Sequence, residues 1–233
     1  QERMSANKLY LAETPKHPVC SHIAEIKSVK EGGFTTARPA TIRLLRNNET
    51  IEVLIPNLRK SIPLFIVFRA LGVETDKEIL EYIFYNLDKK YNNIFNFVRK
   101  TVSSVGPIYS QQSALYYLAT LTKIKTLSNV LYILKNDFLP HSGENFINKA
   151  YYLGYMVNRL LLMKFKIIQP TDRDSFSFKR VDLSGFLLAE LFREYYQQFQ
   201  GKTSKTIDHI YNYNNVLYQN ENIRNIVNEG NIF

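Results

Sequence analysis

The chain has 233 residues, 45% of them hydrophobic and 22% charged. That is globular composition, with length for one large domain or two small ones. Formal net charge is +9, which favours a polyanionic partner, with nucleic acid first and an anionic membrane surface second. No apolar run approaches the roughly 18–20 residues of a membrane span, and Met4-Ser-Ala-Asn-Lys8 leads into no signal-type apolar core.

The first third alternates as strands do. Residues 5–12 predict a short strand, which Pro15 and Pro18 close. Ser21 to Lys30 alternates polar and apolar and ends at a Gly32-Gly33 turn. Ala40 to Arg46 and Thr50 to Ile55 are two further strands, joined through Asn47-Asn48-Glu49 as a hairpin. Cys20 is the sole cysteine, so no intrachain disulfide forms and a reducing compartment is expected. Asn48-Glu-Thr50 matches a glycosylation acceptor, read as coincidence because no secretory signal accompanies it.

From Leu64 the period changes to that of a helix. Leu64 to Leu71 is an apolar run stopped at Gly72. Thr75 with Glu78 gives a capping-box signature, and Ile79, Tyr82, Ile83 and Leu87 supply the inward face of the helix it starts. Helical patterns follow over Tyr91–Val102, Gln111–Ile124, Leu127–Phe138, Asn145–Ile167, Leu183–Phe199 and Thr206–Val227, punctuated by Pro107, Pro140 and Pro170. The fold class is α+β, a small antiparallel sheet followed by a mostly helical layer.

Most familiar chemistry is missing. Gly201-Lys202-Thr203 lacks the earlier glycine of a phosphate-binding loop, since that position holds Tyr196. Cys20 and His22 have no second metal-ligand pair, and His17, His141 and His209 stand apart. Asp172-Arg-Asp174 could seat a divalent cation as in nucleases, but a lone Asp-x-Asp beside cations is a weak signal. No serine or cysteine nucleophile arrangement can be assembled. The most charged stretch is the segment from Pro170 to Leu188, where Asp172, Arg173, Asp174, Lys179, Arg180 and Asp182 alternate in sign. Read from composition alone, it is a solvated connection with internal ion pairs.

Several blocks carry a family resemblance. Thr171-Asp-Arg-Asp174, Lys179-Arg180 and Asp182-Leu-Ser-Gly185 resemble the Asp-Asp-Arg-Asp, Lys-Arg and Leu-Ala-Gly stretch of the second-largest subunit of multisubunit DNA-directed RNA polymerases, the counterpart of the bacterial β subunit. In the same order, Gln1-Glu-Arg-Met4, Ser21-His-Ile-Ala-Glu-Ile-Lys27, Ile62 to Gly72 with Glu78-Ile-Leu-Glu81, Phe138-Leu-Pro-His141 and Tyr152 to Leu162 resemble its other blocks. The likeness covers nearly the whole chain and is greater to the eukaryotic nuclear and large-DNA-virus versions. Two departures stand out. Thr171 replaces the first aspartate, and Phe176-Ser-Phe178 replaces a glycine-containing loop.

The resemblance implies residues 1–18 and 206–233 as pieces of a protrusion domain and residues 19–205 as a lobe inserted into it, within a longer subunit. It implies partners: downstream duplex DNA, the non-template strand, the largest polymerase subunit, a small zinc-ribbon subunit and initiation factors. It implies no cofactor in this segment, with magnesium at the active site elsewhere and zinc in other parts of the complex. The location would be the nucleus, or a virion and host cytoplasm for a viral member. By position, Asp174 and Lys179 match an aspartate and an arginine that in bacterial relatives form a pocket for an unpaired non-template base. Arg173 and Arg180 are the accompanying nucleic-acid-binding candidates. The alternative is a stand-alone basic module that binds nucleic acid or protein without catalysis.

Overall fold

The computed structural model describes residues 2–30, 37–47, 49–85, 92–103, 106–172 and 174–213. Gly32-Gly33, Asn48, Leu87, Arg173 and everything after Tyr213 lie outside them, and the side chain of Arg180 is likewise not described. The chain divides into two compact units, residues 4–179 and residues 1–3 with 180–233.

The larger unit opens on an antiparallel sheet in chain order: β2 (Leu9–Glu13), β3 (Cys20–Ser28), β4 (Arg38–Leu45), β5 (Ile51–Leu54) and β6 (Ile62–Pro63). β1 (Glu2–Met4) precedes them and pairs elsewhere. The period of two decides which face is buried. Leu11 lies opposite Ala24, Ile26 opposite Ala40, and Ile42 opposite Val53, and all six are buried. Tyr10, Glu25, Thr41 and Arg43 take the other face. The first strand starts at Leu9 instead of residue 5 because Asn7 adopts φ 58°. Its side-chain Nδ2 donates to the Val29 carbonyl at 3.0 Å, and its Oδ1 accepts from the Val29 backbone N–H at 2.8 Å. Asparagine tolerates that left-handed conformation, and a strand cannot pass through it. β6 escapes the sequence pattern since it is two residues long and contains Pro63, which is compatible only with a sheet edge.

Helices cover the buried face. α1 (Leu64–Ala70) is buried at every position, and Gly72 ends it at φ 96°, a conformation that disfavours a Cβ. Arg69 is buried with it. Its guanidinium meets Asp76 at 2.5 Å, donates to the Ile108 carbonyl and lies 5.3 Å from the Tyr109 ring centre. α2 (Asp76–Phe84) begins where Thr75 Oγ1 accepts from the Glu78 amide, one arm of the expected capping box, and buries Ile79 and Ile83. α3 (Asn92–Ser103) and α4 (Gln111–Leu121) follow, the latter with both arms of a capping box between Ser110 and Ser113.

The expected helix over residues 127–138 divides into α5 (Leu127–Tyr132) and a π-turn, Ile133–Asp137. α6 (Phe146–Lys164) sits beside it and explains how the widened end is tolerated. Lys149, fully buried, donates through Nζ to the carbonyls of Leu134, Lys135 and Phe138 at 2.6, 2.7 and 2.6 Å. Carbonyls at a helix C-terminus have no partner within the helix, so an ammonium supplies one. α6 also makes the closest backbone approach. A Cβ on Gly154 would lie 2.3 Å from the Tyr82 carbonyl oxygen, so α2 and α6 meet there only because the side chain is absent. Asn158 Nδ2 donates to the Ile83 carbonyl at 2.9 Å, closing the end of α2. Most of Tyr152–Leu162 is core, with Asn158 and Arg159 half-buried at its edge and Tyr155 exposed.

The second unit contains the pairing of β1 with β7 (Lys179–Val181) and the helix α7 (Ser184–Tyr213). Two separate helices are expected here. The structure instead has one, running through Gly201-Lys202-Thr203. An interior glycine costs about 1 kcal/mol relative to alanine but does not stop a helix without a left-handed turn or a proline. Positions 201–203 are therefore helical and form no phosphate loop. The apolar residues spaced four apart along this helix are not a buried stripe: Leu183, Leu191 and Tyr195 are exposed and Leu187 is half-buried. Among the described residues this unit offers only β1 and β7 beside α7, too little surface to cover it.

Two outcomes test this packing. Gly154→Ala forces α2 and α6 apart and is expected to lower unfolding free energy by about 1–3 kcal/mol; urea melts that match wild type would overturn the close contact. Burial lowers the Lys149 ammonium from its usual 10.5 to about 8. Below pH 8 it is protonated folded and unfolded, and its desolvation cost stands in full. Between pH 8 and 10.5 the unfolded chain binds more protons, so this group raises stability as pH climbs. Wild type should therefore gain on Lys149→Met from pH 8 to 10, by at most about 1.4 kcal/mol per unit; a pH-independent difference in paired urea melts would exclude it.

Candidate nucleic-acid interface

Pro170 ends the connection that follows α6, and the next residues are tied to the sheet before they turn. Thr171 accepts at Oγ1 from the Leu11 amide at 2.7 Å and donates the same hydroxyl to the Leu11 carbonyl at 2.9 Å. Its own amide reaches that carbonyl at 2.9 Å. Leu11 is in β2, so a single threonine pins the loop entry to the strand. A family aspartate at this position would have no hydroxyl hydrogen to give, and the threonine supplies donor and acceptor together.

Past Thr171 the chain folds on itself. Asp172 Oδ1 accepts from the Asp174 amide at 2.9 Å, a turn typical of short acidic side chains. A 3-10 turn over Phe176–Phe178 follows. It is held by the Phe178 amide on the Ser175 carbonyl at 3.0 Å and by the hydroxyls of Ser175 and Ser177, also 3.0 Å apart. From the sheet side, Lys8 donates through Nζ to the Ser177 carbonyl, and the Ser5 amide donates to the Phe178 carbonyl at 2.9 Å. The segment that composition reads as a solvated connection is thus a fastened turn.

The two positions singled out by resemblance come together. Lys179 Nζ lies 3.6 Å from Asp174 Oδ1. The carboxylate is 88% exposed and the lysine side chain only 22%, so the acid faces solvent while the cation is drawn back beside it. An ion pair whose acid is this exposed contributes about 1 kcal/mol or less to stability. Arg173 lies outside the described residues. Arg180 is in β7, and its side chain is not described.

Two residues that the sequence did not mark as anchors matter here. Lys8 is an ordinary exposed basic residue by sequence, yet it reaches a carbonyl 169 positions away. Thr171 departs from the family pattern and does the anchoring. Neither carries a local signal, because both act across the fold. Beside them, a depression of about 290 Å³ opens on the outer face of β2 and β3. Lys8, Lys27, Glu13 and Glu25 line it with Tyr10 and Ile23, and its charges balance, so it makes no anion site.

The remaining candidates have structural partners. His17 Nδ1 accepts from the amides of Val19 and Cys20 at 3.1 and 3.2 Å. His141 pairs with Ser28 at 2.7 Å and meets the Tyr152 ring edge-on. Cys20 is buried. Among the described residues no group of three or more His, Cys, Asp and Glu side chains could hold a metal ion. Among the described residues no helix is long and apolar enough to cross a membrane.

Comparison with known proteins points to one family. Residues 16–182 match the family described as RNA polymerase Rpb2, domain 2. The chain is 33% identical over 214 residues to the DNA-directed RNA polymerase II subunit RPB2 of Encephalitozoon cuniculi, covering 88% of this chain and 18% of that protein. It is 36% identical over 207 residues to the subunit of the same name from Schizosaccharomyces pombe, covering 83% and 17%. The archaeal subunit Rpo2 of Saccharolobus solfataricus is 28% identical over 207 residues, covering 85% and 18%. The chain therefore spans less than a fifth of the length of the curated relatives it matches.

The anchoring threonine gives a direct test. Thr171→Val removes the hydroxyl and leaves the Leu11 amide without its partner, which should cost about 1–3 kcal/mol. Hydrogen exchange at the Leu11 amide is expected to rise in Thr171→Val and stay protected in Thr171→Ser; equal protection in both would show that the hydroxyl does not hold the loop.

Proposed function

The chain belongs to the RNA polymerase Rpb2, domain 2 family, and from that premise we propose that it forms the lobe region of the second-largest subunit of a DNA-directed RNA polymerase. The match over residues 16–182 carries the reading. Nucleotidyl transfer would belong to the assembled enzyme, with its catalytic magnesium held elsewhere, and this segment would contribute a wall of the DNA cleft. Residues 19–205 would be the lobe, with residues 1–18 and 206–233 belonging to the protrusion. Downstream duplex DNA, the largest subunit, a zinc-ribbon subunit and initiation factors are its proposed partners. A eukaryotic member would work in the nucleus, and a viral one in the virion or host cytoplasm.

The chemistry of the fastened turn supports a contact with the non-template strand. An exposed carboxylate accepts from the N–H groups on the Watson–Crick edge of guanine, and a neighbouring ammonium donates to O6 or to a phosphate. Asp174 and Lys179 stand in that relation. Lysine lacks the planar fork of arginine, so a bidentate readout is replaced by a single point contact. The net charge of +9 supplies affinity that is independent of sequence and falls with salt.

Isolation from the native source tests the assignment. The chain is expected to arrive with a larger polymerase subunit and with template-dependent RNA synthesis. A free protein of 27.2 kDa without polymerase subunits would overturn it and leave the stand-alone binding module. Within the assembled enzyme, joint Asp174→Ala and Lys179→Ala substitution is expected to abolish photocrosslinking of the loop to the non-template strand; unchanged crosslinking would remove the loop from that role.

A further inference from the structure

α2 and α6 meet along a seam lined with tyrosines. The Tyr82 and Tyr151 rings stack with centres 4.4 Å apart and planes 25° from parallel, and buried Phe68 meets Tyr82 edge-on from inside. Further along, the rings of Tyr152 and Tyr155 lie 5.8 Å apart. Burial, and then the neighbouring Tyr155 hydroxyl, raise the Tyr85 hydroxyl above its ordinary value. Tyr85, Tyr151 and Tyr155 are nevertheless 56, 52 and 39% exposed. Rings held in place but left in water keep a large amphipathic surface in reserve. Tyr85 also takes φ 49° at the end of α2, a conformation that is costly for a bulky residue and gathers at ligand clamps. The charge here runs against that of the chain. Net charge is +9, yet Glu78 and Glu81 are both exposed on α2. Lys77 lies 3.8 Å from Glu81, while the Glu78 carboxylate makes no ion pair among the described residues.

We propose that this seam docks an extended, proline-rich segment of a partner protein that carries an arginine at one end. Tyr151 and Tyr155 stand one turn apart on the same face of α6, a rise of about 6 Å. A polyproline II strand advances about 6 Å in two residues, so its alternate residues meet successive rings. Such a strand has no internal hydrogen bonds and leaves its carbonyls open. Tyrosine offers an apolar face to the proline and a hydroxyl donor to the carbonyl. Grooves lined with aromatic rings bind this backbone for that reason. Glu78 stands one turn before Tyr82, and so supplies a carboxylate for the arginine, whose guanidinium also stacks on aromatic faces. The same acid disfavours nucleic acid, whose phosphates it repels. This role is independent of the strand contact proposed for the loop after α6.

The test measures fluorescence anisotropy of the 233-residue chain with three labelled peptides of equal length. One is proline-rich with a terminal arginine, the second has alanine for proline, and the third has glutamate for arginine. The first is expected to bind, and the other two more weakly. Tyr155→Ala is expected to weaken the first by about 5- to 30-fold, as loss of an interface anchor does. Tyr85→Gly separates binding from folding: glycine suits the positive φ, so the melting temperature should hold or rise while binding falls. Glu78→Gln should remove the preference for arginine over glutamate, together with its salt dependence. Equal affinity for the proline and alanine peptides would overturn the proposal. So would failure of the wild-type chain to bind the first peptide, or binding that Tyr155→Ala and Tyr85→Gly leave unchanged. A single-stranded oligonucleotide bound in place of the peptide would assign the seam to nucleic acid and reject it. A concentration-dependent dimer that Tyr85→Gly abolishes, without peptide binding, would assign it to a second copy and reject it equally.

Discussion

The buried ammonium of Lys149 joins three carbonyls at the end of the α5 and π-turn segment to the middle of the structure. Removing a charge from water is costly, and three short hydrogen bonds are what make it tolerable. Their effect is to fix α6, the helix that packs on β2, β3 and α2. The same region supplies His141, which bonds Ser28 in β3, and Phe138 and Leu139, both fully buried. Sheet and helical layer are thus held in one arrangement by a few polar contacts set inside an apolar core. Hydrophobic burial drives the layers together without direction; Lys149, Gly154 and Asn158 select the orientation.

That arrangement gives the loop after α6 its position. The chain leaves α6 where the helix lies against β2 and β3, so residue 171 arrives beside Leu11. Two hydrogen bonds from one hydroxyl and one from an amide then close a contact across 160 residues of sequence. A turn anchored at both ends can present side chains at constant geometry. The departure from the glycine-containing family loop also fits this picture. Glycine gives a turn freedom, whereas Phe176-Ser-Phe178 exchanges freedom for a 3-10 turn braced by serine hydroxyls and a lysine.

Charge alone is a poor guide to where such a surface lies. The excess of cations predicts a polyanionic partner, yet the depression on β2 and β3 is balanced between lysines and glutamates. Several cations are committed to structure: Lys149 to carbonyls, Arg69 to Asp76, Arg38 to Asp137 and Arg46 to the carbonyls of Thr14, Pro15, His17 and Cys20. A net charge counts all of these equally, although a guanidinium spent on internal oxygens contributes little to phosphate binding.

Period and punctuation in the sequence determined the α+β class, the antiparallel sheet and most helix starts. Alternation at Ala24, Ile26, Ala40 and Ile42 and the cap at Thr75 are local, and local physics is written in neighbouring residues. The ordered blocks likewise made the polymerase family legible before any fold was known. Tertiary structure decided the rest. Asn7 stops β2 from starting early through a contact with Val29, and α7 runs on through Gly201 where no competing turn forms. The exposed face of α7, the burial of Lys149 and Arg69, and the anchoring of the loop by Thr171 and Lys8 all depend on partners distant in sequence. A lysine reads as surface and a threonine as neutral until the fold brings a carbonyl to meet them, so their roles exist only in three dimensions.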